Sequence, residues 1–401
     1  MEIKPEVKKK RFGNVFFIGL MTFFGGISQD IFLPILPIYL SSVLGLSKEF
    51  IGLTEGLVTS SASIFRVVSG FLSDKFKKRK AIIFIGYFLS MISRPLLAII
   101  SSGPGILFLR FVDGVGKGAK DSPKDALIAD STDVNNRGKG FGVARALDTL
   151  GSVVGPLFLF VLLVVLQDDT DKYLKIFLLS AIPLFFTLGI IIFKVRESPV
   201  VEDKVLKTET KSSSLSKKFF IFLAIMILFS LGNSSDTFLI LRAQNVGVAL
   251  LAIPLVYALF NLVYASASIP LGSLSDRIGR EKVIIIGWVA YLVAYLGFGL
   301  ANQTYQIWLL FAFYGIYYAT TEGVAKALVA DLVESSHRGR AYGIYNATIG
   351  LITLPAGIIA GYLWDKVSAS APFIFGSIMA GLATICLFVF IRVYYRRVSI
   401  Q

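Results

Sequence analysis

Gly70-Phe71-Leu72-Ser73-Asp74-Lys75-Phe76-Lys77-Lys78-Arg79-Lys80 closes one long apolar segment and opens another. It returns further along as Gly272-Ser273-Leu274-Ser275-Asp276-Arg277-Ile278-Gly279-Arg280-Glu281-Lys282. The surrounding sequence repeats as well. Ala126-Leu127-Ile128-Ala129-Asp130 is matched by Ala327-Leu328-Val329-Ala330-Asp331, Arg137-Gly138-Lys139 by Arg338-Gly339-Arg340, and Gly142 by Gly343. These pairs keep one offset, 338 − 137 = 201, and the glycine–aspartate loops are one residue further out of step. Asp30 has a looser counterpart in Asp236.

Between the repeated loops the chain is strongly apolar. Of its 401 residues 55% are hydrophobic, and the mean hydropathy is +0.73, whereas a soluble domain is roughly 45–50% apolar. Twelve apolar segments follow one another: 12–41, 48–72, 80–101, 103–130, 139–166, 173–195, 218–241, 249–273, 281–301, 304–331, 339–364 and 370–394. Each is long enough for a helix that crosses a bilayer. The expected fold is therefore an all-α membrane protein with twelve transmembrane helices in two pseudo-symmetric six-helix bundles. An even number of spans per half makes the repeat a parallel one, about an axis along the membrane normal. The expected division is 1–196, a linker 197–217 rich in Lys, Glu, Ser and Thr, and 218–401.

The net charge of +14 could suggest nucleic acid, but a nucleic-acid domain would not be this apolar. The charges read instead as topology. With the N-terminus inside, inner loops hold about 27 Lys/Arg and outer loops about five, namely Lys48, Lys172, Lys175, Arg242 and Lys366. Both termini and the linker are thus expected to be cytoplasmic, in the inner membrane of the cell. Lys4, Lys8, Lys9, Lys10 and Arg11 precede a first apolar stretch too long for a signal-peptide core, so it is expected to be a retained span. The single cysteine, Cys386, excludes a disulfide framework and a Cys-based metal site. The single histidine, His337, lies in a polar run, so no buried histidine relay is available. Neither cofactor nor metal is expected, nor enzymatic activity.

Both copies of the Gly70/Gly272 loop resemble the G-x-L-[AS]-D-[RK]-x-G-[RK]-[RK] loop of the major facilitator superfamily. The first copy departs from it at Lys77, where glycine is usual. Arg110-Phe111-Val112-Asp113-Gly114-Val115-Gly116 is similar to the superfamily's R-x-x-x-G-x-G pattern, whose arginine is tied to substrate binding or proton coupling. Gly142, Gly151 and Gly155-Pro156 keep the G-x8-G-x3-G-P spacing of the antiporter motif, without its trailing Gly-Gly. Asp30 followed by Pro34 and Pro37 is similar to the first span of drug–proton antiporters. The resemblance covers essentially the whole chain. It implies gating roles for Gly70, Asp74, Gly272, Asp276, Gly151, Gly155 and Pro156, with a purely topological role for the basic loops as the alternative. Gly116-Lys117-Gly118 lacks the spacing of a phosphate loop, and Gly114, Gly116 and Ala119 lack the strand–turn–helix context of a dinucleotide fingerprint.

The fourth span carries Arg110, Asp113, Lys117, Lys120, Asp121 and Lys124 at three- and four-residue steps, hence on one helical face. Each ion facing lipid would cost about 2.5–3.5 kcal/mol, so this face must line a cavity or a charged partner helix. Expected partners are Asp30, Arg145, Asp148 and, in the second half, Glu322 and Lys326. At about 1.5 Å per residue, Asp30 and Arg110 lie at similar depth, with Asp113, Lys117 and Asp148 near the midplane. Asp30, Arg110, Asp113 and Asp148 are the candidates for proton coupling, and Asp30–Arg110 is the expected functional pair. Lys117, Lys120, Arg145, Asp236, Glu322 and Lys326 are candidates for substrate contact. A structural salt-bridge network is the alternative for the stripe. Glu55 and Arg94, near span ends, read as structural or interfacial. Tyr257, Asn261, Tyr264, Tyr314, Tyr317, Tyr318 and Asn346 form a polar-aromatic set in the second half. The expected activity is secondary transport of a small organic compound, with proton-coupled export leading. Import or exchange of an anionic metabolite follows, then a lipid flippase or a sensor, although a sensor is expected to carry a soluble appendage. The expected partners are substrate, protons and lipid, with no nucleic acid, around a monomer.

Overall fold

A computed structural model describes residues 5–132, 137–197, 215–334 and 337–395. Among these, every regular element is helical. The first half runs α1 (Pro5–Phe32), α2 (Leu36–Ile38) continued by a π-helical Tyr39–Val43, α3 (Lys48–Phe76), α4 (Arg79–Leu96), α5 (Gly103–Asp130), α6 (Arg137–Val165), α7 (Lys172–Ser180) and α8 (Ile182–Phe193). The second runs α9 (Lys217–Gly232), α10 (Asp236–Asn245), a 3-10 turn Leu250–Ala252, α11 (Ile253–Ile278), α12 (Arg280–Leu300), α13 (Thr304–Asp331), α14 (Arg338–Lys366) and α15 (Ala371–Tyr395). Residues 198–214 of the linker, Lys4, and the side chains of Lys8, Lys9, Lys10, Arg11 and Arg137 lie outside the described residues.

Nine stretches among the described residues are long and apolar enough to cross a membrane. The other three expected spans are α4, α5 and α13. The first has 18 residues, the second carries the charged stripe, and the third is rich in tyrosine and holds Glu322 and Lys326. Their polar side chains are buried or paired within the protein, which hydropathy alone undervalues. The first, sixth and seventh spans are interrupted: at residues 33–35, between α7 and α8, and at Asn233-Ser234-Ser235. Pro34 and Pro37 explain the first break, since proline cannot donate to the helical ladder.

The chain divides into two compact units, Met1–Tyr39 with Leu57–Leu206, and Leu40–Gly56 with Lys207–Gln401. Residues 40–56, expected in the first half, group with the second. Small residues are the reason. A Cβ on Gly52 would stand 2.0 Å from the carbonyl oxygen of Gly357, and one on Gly361 2.4 Å from that of Lys48. The Glu49 N–H, at the start of α3, donates to Asp365 Oδ2 at 2.9 Å.

In the first unit α1 packs along α6, α4 along α5, and α8 against α1 and α4. In the second, α9 packs against α14 and α15, α12 against α13 and α15, and α11 against α13. The first-to-fifth and third-to-fourth span contacts thus recur as seventh-to-eleventh and ninth-to-tenth, as the sequence repeat requires. Lipid provides no hydrophobic drive between helices, so close van der Waals packing holds them. A Cβ on Gly151 of α6 would lie 2.3 Å from the Phe23 carbonyl oxygen of α1. Arg242, expected in an outer loop, is buried. It donates to the carbonyls of Phe298 (2.9 Å), Gly299 (3.1 Å) and Ala301 (2.9 Å) and so caps the end of α12.

The two glycine–aspartate loops are built alike. Arg79 stands 3.4 Å from Asp74 and 2.7 Å from Asp130, and Arg280 stands 3.8 Å from Asp276 and 2.9 Å from Asp331. Arg79 also begins α4, whose first N–H groups donate to Glu197 at 2.7 and 3.1 Å. Gly279 turns the second loop at φ +100°, a value suited to glycine, while Lys77 turns the first at φ +53°. The departure from the family pattern therefore keeps a left-handed residue at the turn. A Cβ on Gly70 would meet Ser122 Oγ at 2.7 Å, but Gly272 has nothing within 4 Å and is not a point of close helix approach.

Candidate functional site

In the first unit the charges converge on Asp113, which is wholly buried on α5. Arg110 and Lys117, one turn before and one turn after, each reach Oδ2 at 3.4 Å, and Arg94 of α4 reaches Oδ1 at 3.5 Å. Arg94 is fully buried as well. It donates to Ser28 Oγ (2.6 Å) and Gln29 Oε1 (2.7 Å) of α1, and its guanidinium lies 5.6 Å from the Phe32 ring. Of the two readings offered for Arg94, structural or interfacial, the structure gives the first: it ties α1, α4 and α5 together. The signal was present in Gly86, Ser90 and Arg94, a stripe of small and polar residues four apart on α4. Gly116 packs where a Cβ would stand 2.6 Å from the Gly86 carbonyl oxygen.

The rest of the stripe is satisfied by neighbouring helices. Lys120 Nζ lies 4.2 Å above the Tyr87 ring of α4. Asp121 pairs with Arg66 of α3 and stands 3.8 Å from Lys124. Arg66 and Tyr87 were not anticipated as partners. Gly114 and Gly118 let α3 approach, since a Cβ would stand 1.9 Å from Ser61 Oγ at the former and 2.3 Å from the Ala62 carbonyl at the latter. Glycines that superficially suggest a phosphate loop are helix-packing positions.

Asp30 is buried on α1 and takes its hydrogen bond from Ser152 of α6. Arg110 contacts the carboxylate of Asp113 at 3.4 Å, and Arg94 and Lys117 are cations that act on Asp30. Gly155 sits directly against it, and a Cβ there would be 2.9 Å from Asp30 Cβ. Pro156 follows inside α6. Arg145 pairs with Asp148 at 3.5 Å on their own helix, and Asp148 acts on Asp30 electrostatically.

In the second unit the polar groups are phenols and carboxylates. Asp236 opens α10 after the break. Its Oδ1 accepts from Tyr314 at 3.0 Å and from Tyr318 at 3.3 Å. Asn233 donates to Tyr317 (3.3 Å), Ser234 lies 3.0 Å from the Tyr295 hydroxyl, and Tyr291 donates to the Gly232 carbonyl at 2.9 Å. The unwound residues are thus held by tyrosines from α12 and α13. Tyr264 donates to Glu322 at 2.6 Å, and Lys326 is 3.7 Å from Glu322. Glu55, expected to be structural or interfacial, is one of the charged groups that act on Asp236. No group of three or more metal-ligating side chains is found among the described residues.

The sequence model of the Major Facilitator Superfamily matches residues 18–242 and again 219–400. The chain belongs to the major facilitator superfamily. It is 37% identical over 373 residues to an uncharacterized MFS-type transporter of Methanocaldococcus jannaschii, covering 92% of each chain. It is 24% identical over 379 residues to the multidrug resistance protein MdtG of Proteus mirabilis, covering 88% of this chain and 90% of that one. The fold matches the crystal structure of the nucleoside transporter NupG with a TM-score of 0.75 at 14% identity, over 94% and 98% of the two chains. As a superfamily member this is a multi-pass integral membrane transporter of twelve helices in two six-helix bundles, and its substrate is a small molecule.

Proposed function

We propose that this transporter works by alternating access and exports a small organic compound in exchange for protons, with Asp30 as the proton carrier. The observation that carries the reading is the environment of Asp30. It is a buried carboxylate whose hydrogen-bond partner is the hydroxyl of Ser152, on the span that keeps the antiporter spacing. A hydroxyl can donate to a carboxylate and accept from a carboxylic acid, so this partner serves both charge states. Asp113 is placed differently, committed to Arg94, Arg110 and Lys117. In this reading Asp113 holds the first half together while Asp30 exchanges the proton. Similarity to a multidrug resistance protein supports export.

The same reading places the linker 197–217 and both termini in the cytoplasm, with a monomer in the inner membrane divided as 1–196 and 218–401. Gating falls to the Asp74 and Asp276 loops. A second reading, exchange of an anionic metabolite, draws support from three cations around a single carboxylate in the first half. Uptake of labelled cationic and anionic compounds into inside-out vesicles with an imposed acid lumen tests both. Cation or neutral-compound uptake that needs the gradient supports export, and gradient-independent anion exchange supports the second reading.

A further inference from the structure

Two buried acids of the first unit share one arginine. Arg94 of α4 meets Asp113 of α5 at 3.5 Å and grips α1 on both sides of Asp30. It donates to Ser28 Oγ (2.6 Å) and Gln29 Oε1 (2.7 Å), and its guanidinium lies 5.6 Å from the Phe32 ring. The part of α1 that it holds is thus the turn 28–32, with Asp30 at its centre. Asp30 itself takes a hydrogen bond from Ser152 of α6, and Arg94 acts on it through its charge. Asp113 and Asp30 in turn both act on Arg94. Charges so deeply buried are felt strongly, because little solvent screens them.

The other helices against α1 add to this arrangement in different ways. α6 supplies Asp148, which pairs with Arg145, and α5 supplies Lys117, which stands 3.4 Å from Asp113. α8 carries no titratable side chain. Those of α7 are engaged elsewhere, Lys172 on the Gln167 carbonyl, Tyr173 on the Tyr39 ring and Lys175 on Asp169. Arg94 and Lys117, which act on Asp30, are therefore both held by Asp113. A carboxyl group gives up its proton more readily beside a cation, and less readily when a second carboxylate draws that cation away. Asp113 and Asp30 compete in this way for the same positive charge.

We propose that Arg94 is the positioning residue of the proton site, and that through it Asp113 sets the pH at which Asp30 exchanges its proton. This rests on the reading of Asp30 as the proton carrier. Infrared spectra of purified full-length protein in detergent, recorded against pH, follow the C=O stretch of protonated carboxyl groups. The titrating band that Asp30→Asn lacks belongs to Asp30. Arg94→Gln, which removes the cation, should move the midpoint of that band to higher pH by about one unit or more. Asp113→Asn, which releases the cation to Asp30, should move it to lower pH by a similar amount. In the Arg94→Gln background Asp113→Asn should move it much less, because the shared group is gone. Should either charge variant not yield monodisperse protein, Gln29→Ala, which removes a bond to Arg94 but no charge, should still move the midpoint upward by a smaller amount. Midpoints that stay in place, or shift the same way in Arg94→Gln and Asp113→Asn, overturn the proposal and leave the proton-carrier reading standing. If no titrating band is lost in Asp30→Asn, the proton-carrier reading fails and this inference falls with it.

Discussion

The guanidinium of Arg94, at the end of α4, lies 3.5 Å from the carboxylate of Asp113, in the middle of α5, and neither side chain is reached by solvent. The same arginine bonds Ser28 and Gln29 two and one residues before Asp30. One side chain thus links the stripe of charges on α5 to the segment of α1 that carries the proposed proton site.

Removing that link should be costly. Breaking a buried pair on one side leaves an uncompensated charge and costs about 3–5 kcal/mol. Arg94→Ala should therefore lower the thermal unfolding temperature of detergent-purified protein far more than Arg145→Ala, whose half-exposed partner Asp148 lies on its own helix. Arg94→Lys should not restore it, because one ammonium cannot span Ser28, Gln29 and Asp113 in the arginine's planar geometry. Equal melting of the Arg94 and Arg145 variants would contradict this account.

Glycines of the antiporter-like span divide into two kinds. Gly151→Ala and Gly155→Ala push a methyl into α1, at the Phe23 carbonyl and at Asp30, and should each cost about 1–3 kcal/mol. Gly142 has nothing within 4 Å, so Gly142→Ala should be neutral or stabilise the helix by about 0.5–1 kcal/mol. Thermal unfolding of the three variants side by side checks the order.

The two loop turns should not tolerate the same exchange. Lys77→Gly relieves a left-handed non-glycine residue and should leave stability unchanged or raise it by up to about 1 kcal/mol. The reciprocal Gly279→Lys forces φ +100°, ψ 139° on a side chain and should cost about 1–3 kcal/mol. Equal effects of the two substitutions would mean the turns are not strained as described.

Loop carboxylates should separate stability from turnover. Asp130 is mostly buried and 2.7 Å from Arg79, whereas Asp74 is 69% exposed and 3.4 Å away. Asp130→Asn should therefore destabilise by about 1.5–3 kcal/mol and Asp74→Asn by under about 1 kcal/mol. In reconstituted liposomes Asp74→Asn should nonetheless slow turnover while substrate affinity stays nearly unchanged. Unaltered turnover would reduce the loop to a topological role.

The spans, their repeat and the stripe on α5 were legible because each rests on periodicity, and periodicity survives folding. Side-chain partners were not. Arg94 reads as structural or interfacial because its residue number lies near a span end, and the polar stripe it ends on α4 turns it inward and decides for the first. Arg242 counted as a loop cation and is instead buried on the carbonyls of α12. Asp30 and Arg110 read as sharing a depth, but depth along the membrane normal says nothing of direction in its plane, and the contact of Arg110 with Asp113 on its own helix was not singled out. The break at Asn233-Ser234-Ser235 went unread because polar residues before an aspartate also fit a continuous helix with a polar face. Residues 40–56 grouped with the second unit because glycines at positions 52, 357 and 361 meet backbone to backbone, a contact without a sequence-local signature.

The central claim, that Asp30 carries the proton exchanged for substrate, is tested most directly by one comparison in inside-out vesicles. Parent and Asp30→Asn proteins, both shown to be monodisperse, are given an acid lumen and a labelled substrate, and accumulation is followed against its concentration gradient. Counterflow exchange without a pH gradient is measured in the same vesicles. The parent should accumulate substrate, and Asp30→Asn should lose accumulation while retaining counterflow, because binding and reorientation survive and only the proton site is gone. Accumulation by Asp30→Asn equal to that of the parent would place coupling on another residue and contradict the account.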